Sequence, residues 1–155
     1  MKKLMLSLVT VLLLSACSSK GIDEITRTVC TNDFPYLVYE SGQQIYTSRG
    51  DKVLTMEIRA VLELEDAETM AAVMESVEAT LPVFNENKGM HASVEKINDT
   101  SLYDILIIDF EEADMSKVAD MNILEEDSGK KITQVSLKQS IENIEEDGFV
   151  CRIES

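Results

Sequence analysis

The chain has 155 residues, enough for one domain with a real core and not comfortably two. Its 14 Lys and Arg stand against 29 Asp and Glu, a formal charge of −15. Such a surface repels nucleic acid and anionic lipid headgroups and attracts cations or basic proteins, although the same charge also serves plain solubility.

The first sixteen residues read as a processing signal. Lys2 and Lys3 precede an apolar run from Leu4 to Leu14 that only Ser7 and Thr10 interrupt. As a helix this run is about 16 Å long, roughly half a hydrocarbon core, so it is too short to span a membrane. Leu14-Ser15-Ala16-Cys17 resembles the lipobox of bacterial lipoproteins, which implies cleavage before Cys17 and lipid on that cysteine. Its acyl chains then make the membrane the first partner, with Ser18 to Gly21 as a short tether. The expected division is 1–16 signal peptide, 17–21 lipidated tether and 22–155 a single α+β lipoprotein domain. Loss of Lys2 and Lys3 takes the mature charge to −17.

Within the domain, residues 22–32 are rich in β-branched types and predict a first strand, with Tyr36 to Glu40 as its continuation. Gln43 to Ser48 predicts a second, and Arg49-Gly50-Asp51-Lys52 a hairpin turn. From Leu54 to Leu64 apolar residues alternate with Thr55, Glu57, Arg59 and Glu63, the period of a strand with one face on the core. Asp66 then caps a helix whose stripe is Met70, Val73, Met74, Val77 and Leu81, and Pro82 is expected to end or kink it. His91 to Ile97 and Tyr103 to Phe110 predict a hairpin through Asn98-Asp99-Thr100-Ser101. The second of these strands is nearly all apolar and is expected to lie centrally, covered on both faces.

Asp114 is expected to cap a short helix near Met115 to Met121, and an acidic loop with Glu125-Glu126-Asp127 follows. The last helix opens on a capping box, Ser136 to Gln139, and buries Leu137, Ile141 and Ile144. Gly148 stops it, and Phe149-Val150-Cys151 completes the fold. The sum is α+β: an antiparallel β-sheet with two to three helices packed on one face.

With Cys17 assigned to lipid, Cys30 and Cys151 remain as an even pair in an exported chain. A structural disulfide between them closes about 120 residues; two free thiols or a redox pair are the alternatives, and no Cys-x-x-Cys favours the last.

The order of elements resembles the YehR-like family of small bacterial lipoproteins, which have no established biochemical role. The resemblance rests on the lipobox at Cys17, on the Gly50-Asp51-Lys52-Val53 turn into an alternating strand and on the Asp66 helix. It is closest over Val135-Ser136-Leu137-Lys138-Gln139-Ser140-Ile141 through Gly148-Phe149. It implies a lipid-anchored envelope protein and brings no catalytic residue with it. The Cys30/Cys151 pair and the strong acidity depart from the family pattern.

Catalytic constellations are not apparent. His91 is the sole histidine and has no Gly-x-Ser-x-Gly elbow beside it. Transition metals want clustered His and Cys, and calcium an Asp-x-Asp-x-Asp-Gly loop, so no metal or cofactor is expected. Glu111-Glu112-Ala113-Asp114 and Glu125-Glu126-Asp127 read as solvated charge. Arg49-Gly50-Asp51 matches an integrin-binding tripeptide but reads as turn chemistry, and Asn98-Asp99-Thr100 matches a glycosylation sequon. The expectation is a non-catalytic binding or accessory domain on the membrane. A binder of cations or basic proteins through the acidic face is one alternative, and a carboxylate-dependent hydrolase using acids such as Asp104 or Asp109 is another.

Overall fold

Alternation of apolar and polar side chains makes one long strand, and the sheet grows outward from it. The computed structural model describes residues 24–120 and 133–154, so the expected leader, the Cys17 tether and Glu125-Glu126-Asp127 lie outside the described residues. The elements are β1 (Ile25–Asn32), β2 (Ser41–Arg49), β3 (Lys52–Glu63), α1 (Ala67–Asn85), β4 (Met90–Lys96), β5 (Ser101–Asp109), α2 (Met115–Asp120), α3 (Leu137–Glu146) and β6 (Val150–Glu154). Every pairing is antiparallel, in the order β4-β5-β3-β2-β1-β6, and the fold is α+β as the sequence predicts.

Register explains the core. One row of side chains crosses all six strands: Ile153, Thr28, Tyr46, Met56, Ile108 and Met90, each opposite the next. Tyr46, Met56, Ile108 and Met90 are buried together with Val53, Phe110 and Phe149. Phe84 from α1, Met115 and Val118 from α2, and Leu137, Ile141 and Ile144 from α3 enter the same cluster, so the helices share one face. Each such side chain, fully buried, stabilises by about 1.5–3 kcal/mol. Burial also pushes the Tyr46 hydroxyl up to about 12.

Three expectations need correction. β5 lies second from an edge, not centrally, and its cover is incomplete: Ile105 is 2% exposed but Ile107 is 36% exposed. An antiparallel sheet with helices on one side leaves residues on its other face partly in water. Tyr36 to Glu40 does not continue β1; it forms a turn closed by paired Tyr36–Tyr39 backbone bonds of 2.8 and 3.0 Å. Pro82 does not end α1, which runs on to Asn85. Sitting in the last turn, the proline removes only the bond to the Glu78 carbonyl. Tertiary contacts hold the residues beyond it. Phe84 packs on the core, and the Asn85 side chain bonds both backbone groups of Ala92, accepting at 2.7 Å and donating at 3.0 Å.

Carboxylates fix several local starts. Asp66 accepts from the Thr69 amide at 2.7 Å at the N-cap of α1, and Asp114 takes the Ser116 hydroxyl at 2.7 Å and its amide at 3.0 Å. Asp99 accepts from Lys96 at 2.8 Å in the β4–β5 turn. These bonds hold all three carboxyls below their ordinary value of 3.8: the Thr69 backbone bond for Asp66, the Ser116 hydroxyl for Asp114 and the Lys96 ammonium for Asp99. A depressed folded value adds stability that is complete above 3.8 and lost as pH falls through the folded values. Urea midpoints measured on acidification should therefore fall below about pH 4, and Asp66→Asn should flatten that fall. An unchanged acid limb in the variant would remove Asp66 from the account.

Candidate functional site

The strands set two ends to the domain. Ile25, where the described chain enters, pairs with Arg49 beside the β2–β3 turn, while Asn32 pairs with Gly42 at the far end. Seven residue steps along β1 separate the two, about 23 Å.

The far end carries a built apolar tip, residues 33–40. Asn32, 5% exposed, accepts from the Phe34 amide at 2.8 Å and turns the chain out of β1. Pro35 cannot donate to a ladder, which stops strand growth there. Two tyrosines brace the tip from beneath. Tyr36 stacks edge-on against Phe149, ring centroids 5.7 Å apart, and its hydroxyl donates to Asp147 at 3.1 Å. Tyr39 donates to Asp104 at 2.6 Å, and burial with that bond raises its hydroxyl to about 12. Leu37, at φ 55°, occupies a backbone region that a leucine rarely enters. The result leaves Phe34, Leu37 and Val38 at 72%, 83% and 72% exposure, with Asp33, Glu40 and Asp147 around them.

At the entry end, Asp51 is fully engaged. One oxygen accepts from the Lys138 amide and the other from the Ser136 hydroxyl, each at 2.8 Å, while its carbonyl takes the Leu137 amide. The carboxylate of Arg49-Gly50-Asp51 is thus a brace for the start of α3. An open depression of about 460 Å³ lies beside it, lined by Gly50, Asp51, Leu137, Lys138, Ile141 and Glu142. Lys138 and Glu142 face each other there at 3.8 Å. Asn98 is likewise a turn residue, accepting from Thr100 and Ser101.

The structure joins Cys30 to Cys151, which stand directly opposite in β1 and β6. Cys17 lies outside the described residues. His91 is exposed on the edge strand β4. Asp104 and Asp109 point to opposite faces of β5, five residues or about 17 Å apart, and so do not meet. Glu111 pairs with Lys52 at 3.2 Å and Glu112 with Lys88 at 3.7 Å. Among the described residues, no three His, Cys, Asp or Glu side chains gather as a metal site. The apolar tip was masked in the sequence by its own composition, since Tyr-Leu-Val-Tyr has strand propensity. Pro35 was the available signal.

A family described as "Protein of unknown function (DUF1307)" matches residues 37–150. The chain belongs to this family. A protein from Streptococcus pneumoniae TIGR4, solved by NMR, shares the fold with TM-score 0.63 and 14% identity, over 98% of this chain and 98% of that one. The Escherichia coli YehR protein, also solved by NMR, has TM-score 0.60 and 18% identity over 83% of this chain and 91% of its own. At these identities the likeness concerns the fold. It agrees with the YehR-like family expected from the sequence, whose function is unknown. No curated protein matches the chain.

Proposed function

We propose that this chain is a lipid-anchored bacterial envelope protein that acts by binding a protein partner and not by catalysis. The observation that carries the reading is the braced apolar tip of Phe34, Leu37 and Val38, at the end of β1 opposite the entry of the chain. The described chain enters at the Ile25 end, so lipid on Cys17 would hold the domain by the end opposite the tip. Large apolar side chains held in water by a rigid turn favour an interface. Their acidic surround calls for an apolar recess with a basic rim.

The test is in-cell photocrosslinking from position 37, with Phe34→Asp and Cys17→Ala variants. One partner should be captured at the membrane, lost with Phe34→Asp while the protein stays at the membrane, and displaced with Cys17→Ala. Capture that survives Phe34→Asp would sink the tip as the contact. Capture that survives Phe34→Asp but collapses in modest salt would transfer the role to the acidic surface, because screening weakens the charged contacts and spares the apolar one.

A further inference from the structure

The two edges of the sheet are finished differently. At β4, Asn85 accepts from the Ala92 N–H at 2.7 Å and donates to its carbonyl at 3.0 Å, so one outward pair of backbone groups is already satisfied. Nothing among the described residues does this for β6. The register tells which of its groups point outward. Cys30 and Cys151 are opposed with Cα atoms 3.9 Å apart. That is the close spacing of a non-hydrogen-bonded antiparallel pair, about 4.5 Å, and not the bonded spacing of about 5.5 Å. Val150, Arg152 and Glu154 therefore bond β1, while Cys151 and Ile153 aim their N–H and C=O groups away from the sheet.

The side chains of this edge are also exposed and partly unpaired. Ile153 is 71% exposed and Val150 60%. Glu154 pairs with Arg27, whereas Arg152 has no ion-pair partner among the described residues.

We propose that β6 pairs with β6 of a second copy of this chain, antiparallel, about a two-fold axis at Ile153. Outward residues can pair only with outward residues, so the two-fold axis must pass through a residue, and Cys151, Arg152 and Ile153 are the central three of the strand. Centring on Arg152 sets two guanidinium groups face to face. Centring on Cys151 opposes Ile153 to the other copy's Phe149, which is buried and whose N–H is already given to the Ile144 carbonyl. Centring on Ile153 sets each Arg152 opposite the other copy's Glu154, twice, in the closer non-hydrogen-bonded positions. The row on that face then reads Arg27, Glu154, Arg152, alternating in sign across the junction. On the other face the two Ile153 side chains meet, and the row from Met90 through Ile108, Met56, Tyr46 and Thr28 becomes continuous between copies. The inference goes beyond the binding role proposed above, does not depend on it, and leaves the Phe34–Val38 tip free.

A ladder this short belongs with weak, transient interfaces, with a dissociation constant on the order of 100 μM. Sedimentation equilibrium tests it on the chain from residue 17 with Cys17→Ser, which contains every element of the fold. The wild-type sequence should show a reversible dimer. Arg152→Glu alone opposes carboxylate to carboxylate, and Glu154→Arg alone opposes guanidinium to guanidinium, so each should weaken association by about tenfold. Mixing the two variants makes every one of these pairs complementary and should restore the dimer, which also shows that both variants fold. A wild-type chain still monomeric at about 1 mM overturns the proposal. So does a mixture no tighter than its components, or single variants that associate as well as wild type.

Discussion

Loss of the Cys30–Cys151 disulfide is expected to destabilise the domain by about 4–5 kcal/mol and to lower its melting temperature by about 15–20 °C. The bridge joins residues 121 apart, so without it the unfolded chain regains the entropy of a very long loop. The folded state has little to set against that at its last strand. β6 has five residues, of which Val150 and Ile153 are mostly in water, and Cys151 is its member packed on the core. Backbone bonds to β1 then hold β6 almost alone, and net contributions of about 1 kcal/mol each do not replace a covalent tie. Cys30 is 0% exposed and Cys151 half-buried, so reductant reaches the native bond slowly. The comparison is therefore best made by urea unfolding of the wild-type chain against Cys30→Ala/Cys151→Ala. In the variant, amide exchange should rise first in β6, ahead of global unfolding. A midpoint equal to wild type would mean that the chain ends stay together in the unfolded ensemble, and the loop-entropy account would fail.

What could be read in the sequence was what neighbours in sequence decide. The alternation through β3, the Asp66 cap and the Ser136 N-cap appear, with Ser136 accepting from the Gln139 amide at 3.2 Å; the Gln139 side chain donates to Asn143 at 2.7 Å, so only the N-cap half of the expected capping box is formed. Partners distant in the chain were legible only where chemistry left a single choice, as with Cys30 and Cys151. The remainder depended on packing. Asp51 was legible as a turn residue, but its role in starting α3 is set by residues 85 and 87 positions further on. Pro82 stays helical because Phe84 and Asn85 have tertiary work beyond it. The tip at 33–40 had the composition of a strand, and only the burial of Tyr36 and Tyr39 beneath it shows that Phe34, Leu37 and Val38 are left outside. A functional surface made of ordinary apolar residues has no motif, so its exposure is the whole signal.

Gly89→Ala is expected to cost about 3 kcal/mol or more, and Gly148→Ala only about 1 kcal/mol, although both glycines have positive φ. At Gly148, φ is +91° and an added Cβ meets nothing within 4 Å. It stops α3 with its N–H on the Glu145 carbonyl at 3.1 Å, and alanine there carries only the conformational penalty. Gly89, at φ +71°, carries the same penalty and is also clasped. Its added Cβ would lie 2.5 Å from the Ala113 amide nitrogen, 2.8 Å from the Asp109 carbonyl oxygen and 2.9 Å from the Ala113 Cα. All three are backbone atoms, so no side chain can rotate aside. They are moreover bonded to one another and to Gly89: Asp109 accepts from Ala113 at 2.8 Å and donates to the Gly89 carbonyl at 2.7 Å. Relief requires shifting the start of β4 against the β5–α2 turn, which pulls Met90 off Ile108 in the buried row. Urea midpoints of the two variants decide the matter. Equal losses would mean that this junction relaxes without cost and that φ alone sets the requirement for glycine; a much larger loss at Gly89 identifies the β4 start as a fixed point of the core.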